Sequence, residues 1–310
     1  MKKIPTSTDT IVIGAGIIGL TTAMELSKSG RNVCVIDRGR VGGQCSWAGG
    51  GMLASLPPDQ PCSETAALLA ESLQIFPEFC AELARGTGID PEYWVCGARV
   101  TDEHGERWLP DVAQVRNPRL LKALHRALEQ RSVSVIEHVS VDGFATAQSR
   151  LCAIRTSAGS IECGSAVLAA GAWSSMLGSV LVTPAKGQML LLEGAPNMLD
   201  HIRMNSQAYI IPRRDGHILV GSTVEDAGFC VAPTSLALSH LMHQLSSLWP
   251  EGRTLTLKNH WAGLRPKLTV QAPFIAPDEK LRGLYYNTGH FRLGITLSLA
   301  SARRLVKLMT

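Results

Sequence analysis

The sequence predicts an α/β protein with two domains, one built on a parallel sheet and one rich in antiparallel strands. The chain has 310 residues, which is enough for about two domains of ordinary size. It opens with a β-branched run, a glycine-rich turn and a helical pattern, an order typical of a parallel βαβ unit. Its second half instead contains long strand-like runs and a hairpin signal at Asp215–Gly216.

Composition and charge exclude several classes of protein. Hydrophobic residues make up 45% of the chain and charged residues 18%, which is ordinary for a globular protein, and the formal net charge is only +4. The basic residues are scattered, so we predict neither a nucleic-acid surface nor a lipid surface. No apolar run approaches the roughly 18 residues of a membrane span.

The eight cysteines form neither a CxxC pair nor a cysteine–histidine cluster with the spacing of metal ligands. We therefore predict no metal site, and we expect reduced thiols in a cytoplasmic protein. The start of the chain imitates a signal peptide, because two lysines precede an apolar run. That run is short, contains regularly spaced glycines and lacks a small-residue cleavage site, so it is interpreted as a buried strand and turn.

The most informative segment is "DTIVIGAGIIGLTTAMELSKSGRNVCVIDRG", in which a strand, a turn, a helix and a second strand follow one another. Gly14 permits the tight turn, Gly16 lets the backbone approach a pyrophosphate, and Gly19 lets the helix pack closely on the strand. The helix N-terminus offers free N–H groups and a positive dipole to phosphates. Asp37 closes the second strand, where it can accept hydrogen bonds from a ribose. The segment predicts a dinucleotide site rather than a turn that serves packing alone.

A second glycine-rich segment, "GRVGGQCSWAGGGMLA" (residues 39–54), favours FAD over a nicotinamide cofactor. The ribityl chain and the wide tricyclic ring of FAD require backbone to lie close along their length. The chain has one GxGxxG motif and no CxxC pair, which argues against a disulfide reductase with two nucleotide sites.

The remaining pattern alternates between helices and strands. Helical periodicity predicts helices over residues 63–85, 117–130 and 234–249. Strands are predicted at 91–100, 133–141, 165–173, 186–194, 208–223 and 254–263. Residues 283–309 repeat the strand, glycine-rich turn and helix of the opening, so the N-terminus of the last helix is expected to point at the cofactor too.

One arginine stands in the otherwise uncharged hexapeptide "WAGLRP" (residues 261–266). Trp261 and Leu264 favour a dry environment, and Pro266 is expected to end regular structure. The neighbouring sequence supplies no obvious acid. Arg265 therefore either forms a structural salt bridge with a distant carboxylate or faces an anionic ligand.

Six motifs occur in the order found in the D-amino-acid oxidase family of flavoproteins, which the chain resembles over essentially its whole length. They are "IVIGAGIIGL", "GGQCSWAGGGML", "VLAAGAWSS", "AYIIPRRDGHILVGST", "HWAGLRP" and "NTGHFRLGITLS". The resemblance implies a Rossmann-like FAD-binding domain of the glutathione-reductase type, formed by residues 1–89, 116–178 and 263–310. It also implies an antiparallel β-rich substrate domain, formed by residues 90–115 and 179–262.

The resemblance further implies a set of contacts to FAD. These are Gly14, Gly16, Ile17, Ile18 and Gly19 at the phosphate turn; Asp37 and Arg38 at the adenosine ribose; Cys45, Ser46, Gly50, Gly51 and Met52 along the ribityl chain and flavin; Val141 at the adenine; Gly171 at a strand end; and His290, Phe291, Arg292, Leu293, Gly294, Ile295 and Thr296 around the flavin edge. His290 is expected to support this last loop or to contact the flavin through its backbone rather than to act as a base.

Three side chains are implied for the substrate. Arg265 matches a carboxylate-binding arginine, Tyr209 matches a tyrosine that adds a hydrogen bond, and Arg292 matches a second arginine. A planar guanidinium can hold a carboxylate through two parallel hydrogen bonds. Simpler interpretations stay open: Tyr209 as an ordinary strand residue, and Arg292 as half of an interdomain ion pair.

The implied activity is oxidation of a small amino acid with a free carboxylate, with glycine as the expected substrate and O2 as the electron acceptor. The imine product would hydrolyse to glyoxylate and ammonia or enter thiazole synthesis for thiamine. One alternative is an oxidase or dehydrogenase of D-amino acids or sarcosine. Another is a flavin-binding protein without turnover, because the chain is shorter than family members between "GARVTDE" and "LPDVAQVRNP". A homo-oligomer is compatible with the resemblance, and the sequence leaves the oligomeric state open.

Overall fold

The computed structural model describes residues 4–54, 62–270 and 272–310, and within them it has six α-helices and three β-sheets. The helices are α1 (Ile17–Lys28), α2 (Cys45–Ala48), α3 (Ser63–Thr87), α4 (Asn117–Gln130), α5 (Ser235–Leu248) and α6 (Gly294–Met309). Short 3-10 helices span Gly171–Met176, Pro250–Thr254 and Phe291–Leu293. Residues 1–3, 55–61 and 271, which the predicted first domain includes, lie outside the described residues.

The strands follow in chain order. They are β1 (Ser7–Ile13), β2 (Val33–Ile36), β3 (Met52–Leu53), β4 (Trp94–Val95), β5 (Ala98–Asp102), β6 (Gly105–Leu109), β7 (Ala113–Gln114), β8 (Ser134–Ile136), β9 (Val141–Ala147), β10 (Arg150–Thr156), β11 (Gly159–Leu168), β12 (Thr183–Glu193), β13 (Ile202–Met204), β14 (Tyr209–Pro212), β15 (His217–Gly221), β16 (Thr256–Lys267), β17 (Phe274–Pro277) and β18 (Leu284–Thr288).

The first sheet contains the βαβ unit that the opening sequence predicts. Its order is β17-β18-β11-β1-β2-β8, and β1 pairs in parallel with both β2 and β11. The β-branched residues 10–13 are buried in the centre of this sheet. Helix α1 packs against α4 and α6, and α3 also packs against α4 and α6, so these four helices form one layer over the sheet. The predicted C-terminal strand, turn and helix are thus confirmed as β18 and α6.

The second sheet is the β-rich unit, with the order β16-β12-β15-β14-β13-β5-β6. All of its neighbouring strands are antiparallel except β13 and β5. The predicted hairpin at Asp215–Gly216 joins β14 to β15, and helix α5 covers an apolar cluster on this sheet. A small third sheet has the strand order β3-β7-β4. The proposed domain boundaries and the homo-oligomer stay predictions.

The structure differs from the sequence prediction at two main places. Residues 91–100 form two short strands in different sheets, because Gly97 lies between them at φ +69° and the Trp108 ring occupies the space of a Cβ there. Pro266 does not end β16, which continues to Lys267 with Pro266 directly opposite Pro184 on β12. A non-hydrogen-bonded pair needs no N–H from either residue, so two facing prolines leave the ladder intact.

Two strand predictions were too long, and one hairpin was missed. The strand predicted at 133–141 ends at Ile136, and the one at 165–173 ends at Leu168, where a 3-10 helix follows. The antiparallel hairpin of β9 and β10 had no sequence prediction, although it extends the first sheet beside β11. Each of these limits depends on strand pairing rather than on local composition.

Some further features of the described residues bear on the excluded classes. No helix in residues 4–54, 62–270 and 272–310 is long and apolar enough to cross a bilayer. Within the same residues, no three histidine, cysteine or acidic side chains are grouped so that they could hold a metal ion. The eight cysteines are all free thiols.

Gly19 provides a test of the packing between α1 and β1. A Cβ at this position would overlap the carbonyl oxygen of Gly14, and a clash with backbone cannot be relieved by a rotamer change. We expect Gly19→Ala to lower the free energy of unfolding by about 1–3 kcal/mol, measured by urea unfolding. Gly86, inside α3, has open space at the corresponding position. Gly86→Ala should therefore leave stability unchanged or raise it by up to about 1 kcal/mol. Wild-type stability of Gly19→Ala would contradict the packing argument.

Candidate active site

A cavity of about 1360 Å³ lies at the carboxyl ends of β1 and β2 and extends to the second sheet. It exceeds the roughly 300–1,000 Å³ of an ordinary ligand pocket, so it has room for a long cofactor and a small substrate together. All of the predicted site residues line it except Gly19, which packs behind the phosphate turn as expected. Their individual contacts to FAD and substrate stay predictions, but the fold brings them to one cavity.

The turn after β1 has the geometry that a pyrophosphate requires. Gly14 has φ +111°, and a Cβ there would overlap the Ala169 carbonyl. Gly16 is the N-cap of α1, and no acidic residue lies in the first turn of that helix. The Ile17 N–H donates to Ser46 Oγ at 2.9 Å, so Ser46 closes the turn from the second glycine-rich segment. The positive end of α1 is therefore open toward the cavity for an anion.

Asp37 and Arg38 lie at the end of β2, where the ribose is predicted. The two oxygens of Asp37 accept hydrogen bonds from the N–H groups of Ala15 and Gly39, both at 2.7 Å. Since each carboxylate oxygen can accept twice, capacity remains for ribose hydroxyls. The Arg38 guanidinium carbon lies 3.8 Å from the centre of the Trp173 ring, which forms a cation–π contact.

The predicted flavin loop, residues 45–52, is held by two buried side chains that sequence reasoning missed. Asn117 donates to the carbonyls of Ser46 and Gly49, both at 2.9 Å. Arg213 donates to the Gly50 carbonyl at 2.7 Å, and burial lowers the pKa of Arg213 to about 10, so it stays charged at neutral pH. Neither residue has a motif spacing that would have identified it, because each acts on a loop distant in sequence.

The turn between β18 and α6 also faces the cavity. His290 is buried and shares a hydrogen bond of 2.9 Å with Ser301 of α6. Burial lowers the pKa of His290 to about 3, so the ring is neutral and poorly suited to act as a base at neutral pH. This favours the expected supporting role. Arg292 lies beside Phe291, with its guanidinium carbon 5.2 Å from the centre of that ring, and both line the cavity.

Arg265 is half-buried at the substrate end, and its hydrogen bonds go to neutral groups. Nη1 donates to the Thr223 carbonyl at 3.0 Å and Nη2 donates to Ser222 Oγ at 2.8 Å. No ion pair among the described residues involves Arg265, so the alternative of a structural salt bridge finds no support there. A Cβ at Gly187 on β12 would overlap the guanidinium, so only glycine leaves room for it.

Tyr209 and Cys45 line the same cavity as Arg265. A Cβ at Gly50 would lie 3.1 Å from the Tyr209 ring, which shows how closely the flavin loop packs on that ring. The Tyr209 hydroxyl donates to the Met189 sulfur at 3.3 Å, a weak acceptor that a carboxylate can replace. Burial raises the pKa of the Cys45 thiol, and the nearby charge of Arg265 acts in the opposite direction. The thiol is therefore neutral at pH 7.

The burial of His290 predicts a pH dependence of stability. The folded-state pKa of about 3 lies below the ordinary 6.5, so the folded chain binds fewer protons than the unfolded chain between these values. The stabilising contribution is complete above about pH 6.5 and is lost as the pH falls toward about 3. We expect this histidine to add a slope of up to about 1.4 kcal/mol per pH unit in that window.

The measurement is urea unfolding of wild type and His290→Gln at several values between about pH 4 and 7. Glutamine can keep the hydrogen bond to Ser301 but does not titrate, so the variant should show the smaller slope. His104→Gln serves as the control, since the side chain of His104 is 81% exposed. Equal slopes in wild type and His290→Gln would rule out this source of acid sensitivity.

Comparison with known proteins agrees with this geometry. A family model described as an FAD-dependent oxidoreductase, the D-amino-acid oxidase family, matches residues 9–108 and 98–308. The two matched segments overlap at residues 98–108, the β5–β6 hairpin, where the sequence is predicted to be shortened. A glycine oxidase of Pseudomonas putida is 36% identical over 346 residues, covering 98% of this chain and 95% of its own.

Two further similarities concern a fusion protein and a solved structure. The bifunctional protein ThiO/ThiG of Trichormus variabilis is 30% identical, over 95% of this chain and 51% of its own length. The crystal structure of glycine oxidase from Geobacillus kaustophilus has a TM-score of 0.93 at 24% identity, covering 98% of this chain and 94% of its own. The predicted family and α/β fold are thereby confirmed. The chain belongs to the D-amino-acid oxidase family of FAD-dependent oxidoreductases, and its cofactor is FAD.

Proposed function

We propose that this protein is a glycine oxidase, which converts glycine, O2 and water to glyoxylate, ammonia and hydrogen peroxide. The observation that carries the proposal is the half-buried Arg265, which lines the cavity and whose hydrogen bonds within the described residues go to neutral groups. A group of this kind fits a ligand with one carboxylate. The similarity to glycine oxidases over nearly the whole chain supports glycine as that ligand.

The residues of the cavity fit FAD at its phosphate and ribose ends. The open positive end of α1 would hold the pyrophosphate, and the remaining acceptor capacity of Asp37 would hold the ribose. When bound, FAD supplies the acceptor for the hydride from the substrate Cα and returns the electrons to O2. Gly294, at the N-terminus of α6, lines the cavity, so the helix dipole would stabilise negative charge at that end.

The chain's own part in the reaction is to bind and orient the amino acid. Thr223 and Ser222 take two of the five N–H donors of Arg265, and others remain for a substrate carboxylate. The Tyr209 hydroxyl can add a further hydrogen bond by leaving the Met189 sulfur. His290 is neutral and bonded to Ser301, so it is not assigned as a base that removes a proton from the substrate amine. The site therefore fits an amine that is already neutral when it reacts. Orientation of this kind can supply much of the rate enhancement.

We also propose that the protein acts in the reducing cytoplasm. Eight free thiols are typical of proteins that function where disulfides do not form. Burial raises the pKa values of Cys34, Cys80 and Cys163 to about 12, so these three thiols are packing residues with little thiolate character.

Anaerobic mixing with a small substrate panel tests the proposed function. We expect glycine to remove the visible absorbance of the oxidised flavin, because its carboxylate reaches Arg265 and its Cα reaches the cofactor. Admitting O2 should restore the colour and release one hydrogen peroxide per flavin, whereas a dehydrogenase would recover slowly. If sarcosine or D-alanine bleaches the flavin faster than glycine does, that compound and not glycine is the preferred substrate. A purified flavoprotein that no amino acid bleaches would contradict the proposal in favour of flavin binding without turnover.

Removal of Arg265 tests its assigned role. We expect Arg265→Ala to cost roughly 2–5 kcal/mol of substrate interaction, which corresponds to a loss of about 30-fold to several-thousand-fold in kcat/KM for glycine. Lys258 lies on the same strand and pairs with Glu193 at the surface, so Lys258→Ala should keep wild-type kcat/KM. If Arg265→Ala oxidises glycine as well as wild type does, the assignment of this arginine is wrong.

A further inference from the structure

The segment that follows β15 runs beside β12 next to the cavity, and it contains a β-bulge. The last β15 residue, Gly221, pairs with Met189, and the next paired residue of that chain, Glu225, pairs with Lys186. The two paired positions are three residues apart on β12 but four residues apart in the segment that follows β15. Residues 222–224 therefore include one extra residue, the defining feature of a bulge, which is common beside active sites.

This bulge carries both groups that accept hydrogen bonds from Arg265. One is the hydroxyl of Ser222 and the other is the carbonyl of Thr223. In a regular ladder such a carbonyl would accept from the neighbouring strand, whereas the bulge turns it toward the guanidinium. The position of the bulge therefore decides where the guanidinium points.

A network of side chains centred on Glu225 holds the bulge in place. Gln188 N–H donates to Thr223 Oγ1 at 2.9 Å, in place of a backbone carbonyl, and that hydroxyl donates to the Glu225 carboxylate. The Gln188 side chain donates to both Glu225 oxygens, at 2.8 and 3.1 Å. The Lys186 ammonium lies 3.5 Å from the same carboxylate and donates to the Ala232 carbonyl at 2.7 Å.

Lys186 and Gln188 lie on the face of β12 that is turned away from the substrate end. Side chains alternate along a strand, and the intervening Gly187 is the residue that faces Arg265. Both side chains are almost fully buried, with 2% and 0% exposure, and neither lines the cavity. Lys186 and Gln188 therefore contact neither cofactor nor substrate directly, and they act through the bulge and through Glu225, which does line the cavity.

The charges in this network balance each other. A buried ammonium is costly without a counter-ion, and Glu225 is the acid within reach of Lys186. Although burial opposes it, hydrogen bonds from Thr223 and Gln188 and the charge of Lys186 hold the pKa of Glu225 below its ordinary value. Glu225 is therefore ionised at neutral pH and does not compete as a free anion for Arg265.

We propose that Glu225, Lys186 and Gln188 are positioning residues for the substrate carboxylate. They fix the bulge at residues 222–224, and the bulge fixes the Arg265 guanidinium in the orientation that binds the carboxylate. This inference deepens the proposed function and rests on its assignment of Arg265.

The test uses Glu225→Gln in the FAD-loaded protein, with acetate as a probe because acetate carries only the carboxylate part of glycine. We expect the dissociation constant of acetate, followed by the change in flavin absorbance, to rise by about 10- to 100-fold. The KM for glycine should rise by a similar factor while kcat changes less, and Glu225→Asp should recover part of the loss. Glu193→Gln, which removes an ion pair with Lys258 at the other end of β12, should leave acetate binding unchanged.

A second background separates positioning from a general structural effect. If Glu225 acts through Arg265, Glu225→Gln should change acetate binding by less than about twofold in an Arg265→Lys protein. Equal effects in both backgrounds would overturn the inference. If Glu225→Gln does not retain FAD, the double variant Lys186→Met/Glu225→Gln removes both charges together and provides the same comparison.

The outcomes also separate this inference from the proposed function. Unchanged acetate binding in Glu225→Gln overturns the inference, whatever the substrate is. Weakened acetate binding in a protein that does not oxidise glycine supports the inference and rejects glycine as the substrate.

Discussion

Arg265 holds a permanent positive charge at a half-buried position, and the described part of the chain places no carboxylate against it. Partial removal of a guanidinium from water costs free energy that neutral acceptors offset only in part. Gly187 leaves space for the guanidinium, and the bulge at residues 222–224 supplies two hydrogen-bond acceptors for it. The remaining electrostatic stabilisation is therefore available to an anionic ligand, which is how a fold can favour carboxylate binding before the ligand arrives.

The hairpin of β14 and β15 carries Tyr209 and also fixes the loop assigned to the flavin. Tyr209 begins β14 and packs against Gly50, while Arg213, just after β14, binds the Gly50 carbonyl. One short strand thus connects Tyr209, which we propose contacts the substrate, to the loop assigned to the flavin, and it does so at both of its ends. Hydride transfer depends strongly on the distance and angle between donor and acceptor, so a rigid connection of this kind is a functional requirement as well as a packing solution.

The sequence predicted the features that depend on local chemistry. The phosphate turn was predictable because Gly14, Gly16 and Gly19 act within a single βαβ unit, and the predicted helix at 117–130 coincides with α4 because Pro118 and the apolar spacing mark it. The interruption at Gly97 of the strand predicted at 91–100 was not predictable in this way, because it depends on the Trp108 ring from a different strand.

The missed features depend on register between strands that are distant in sequence. The continuation of β16 through Pro266 depends on the facing Pro184, and the bulge beside Arg265 is visible only once β12 and β15 are aligned. The sequence thus identified Arg265, whereas the groups that orient it follow from pairing geometry that a single sequence does not encode locally.

The shortened region bears on a different part of the site from the carboxylate anchor. The β5–β6 hairpin, where the two family matches overlap, supplies Thr101, Asp102 and Arg107 to the cavity wall. Arg265 and the bulge belong instead to the β12, β15 and β16 side of the second sheet. Arg107 is bonded to Asp102 at 2.7 Å, so its charge is balanced and does not compete with Arg265 for a substrate carboxylate. The shortened region therefore lies at a different wall of the cavity from Arg265, whose contacts to Ser222 and Thr223 do not involve it.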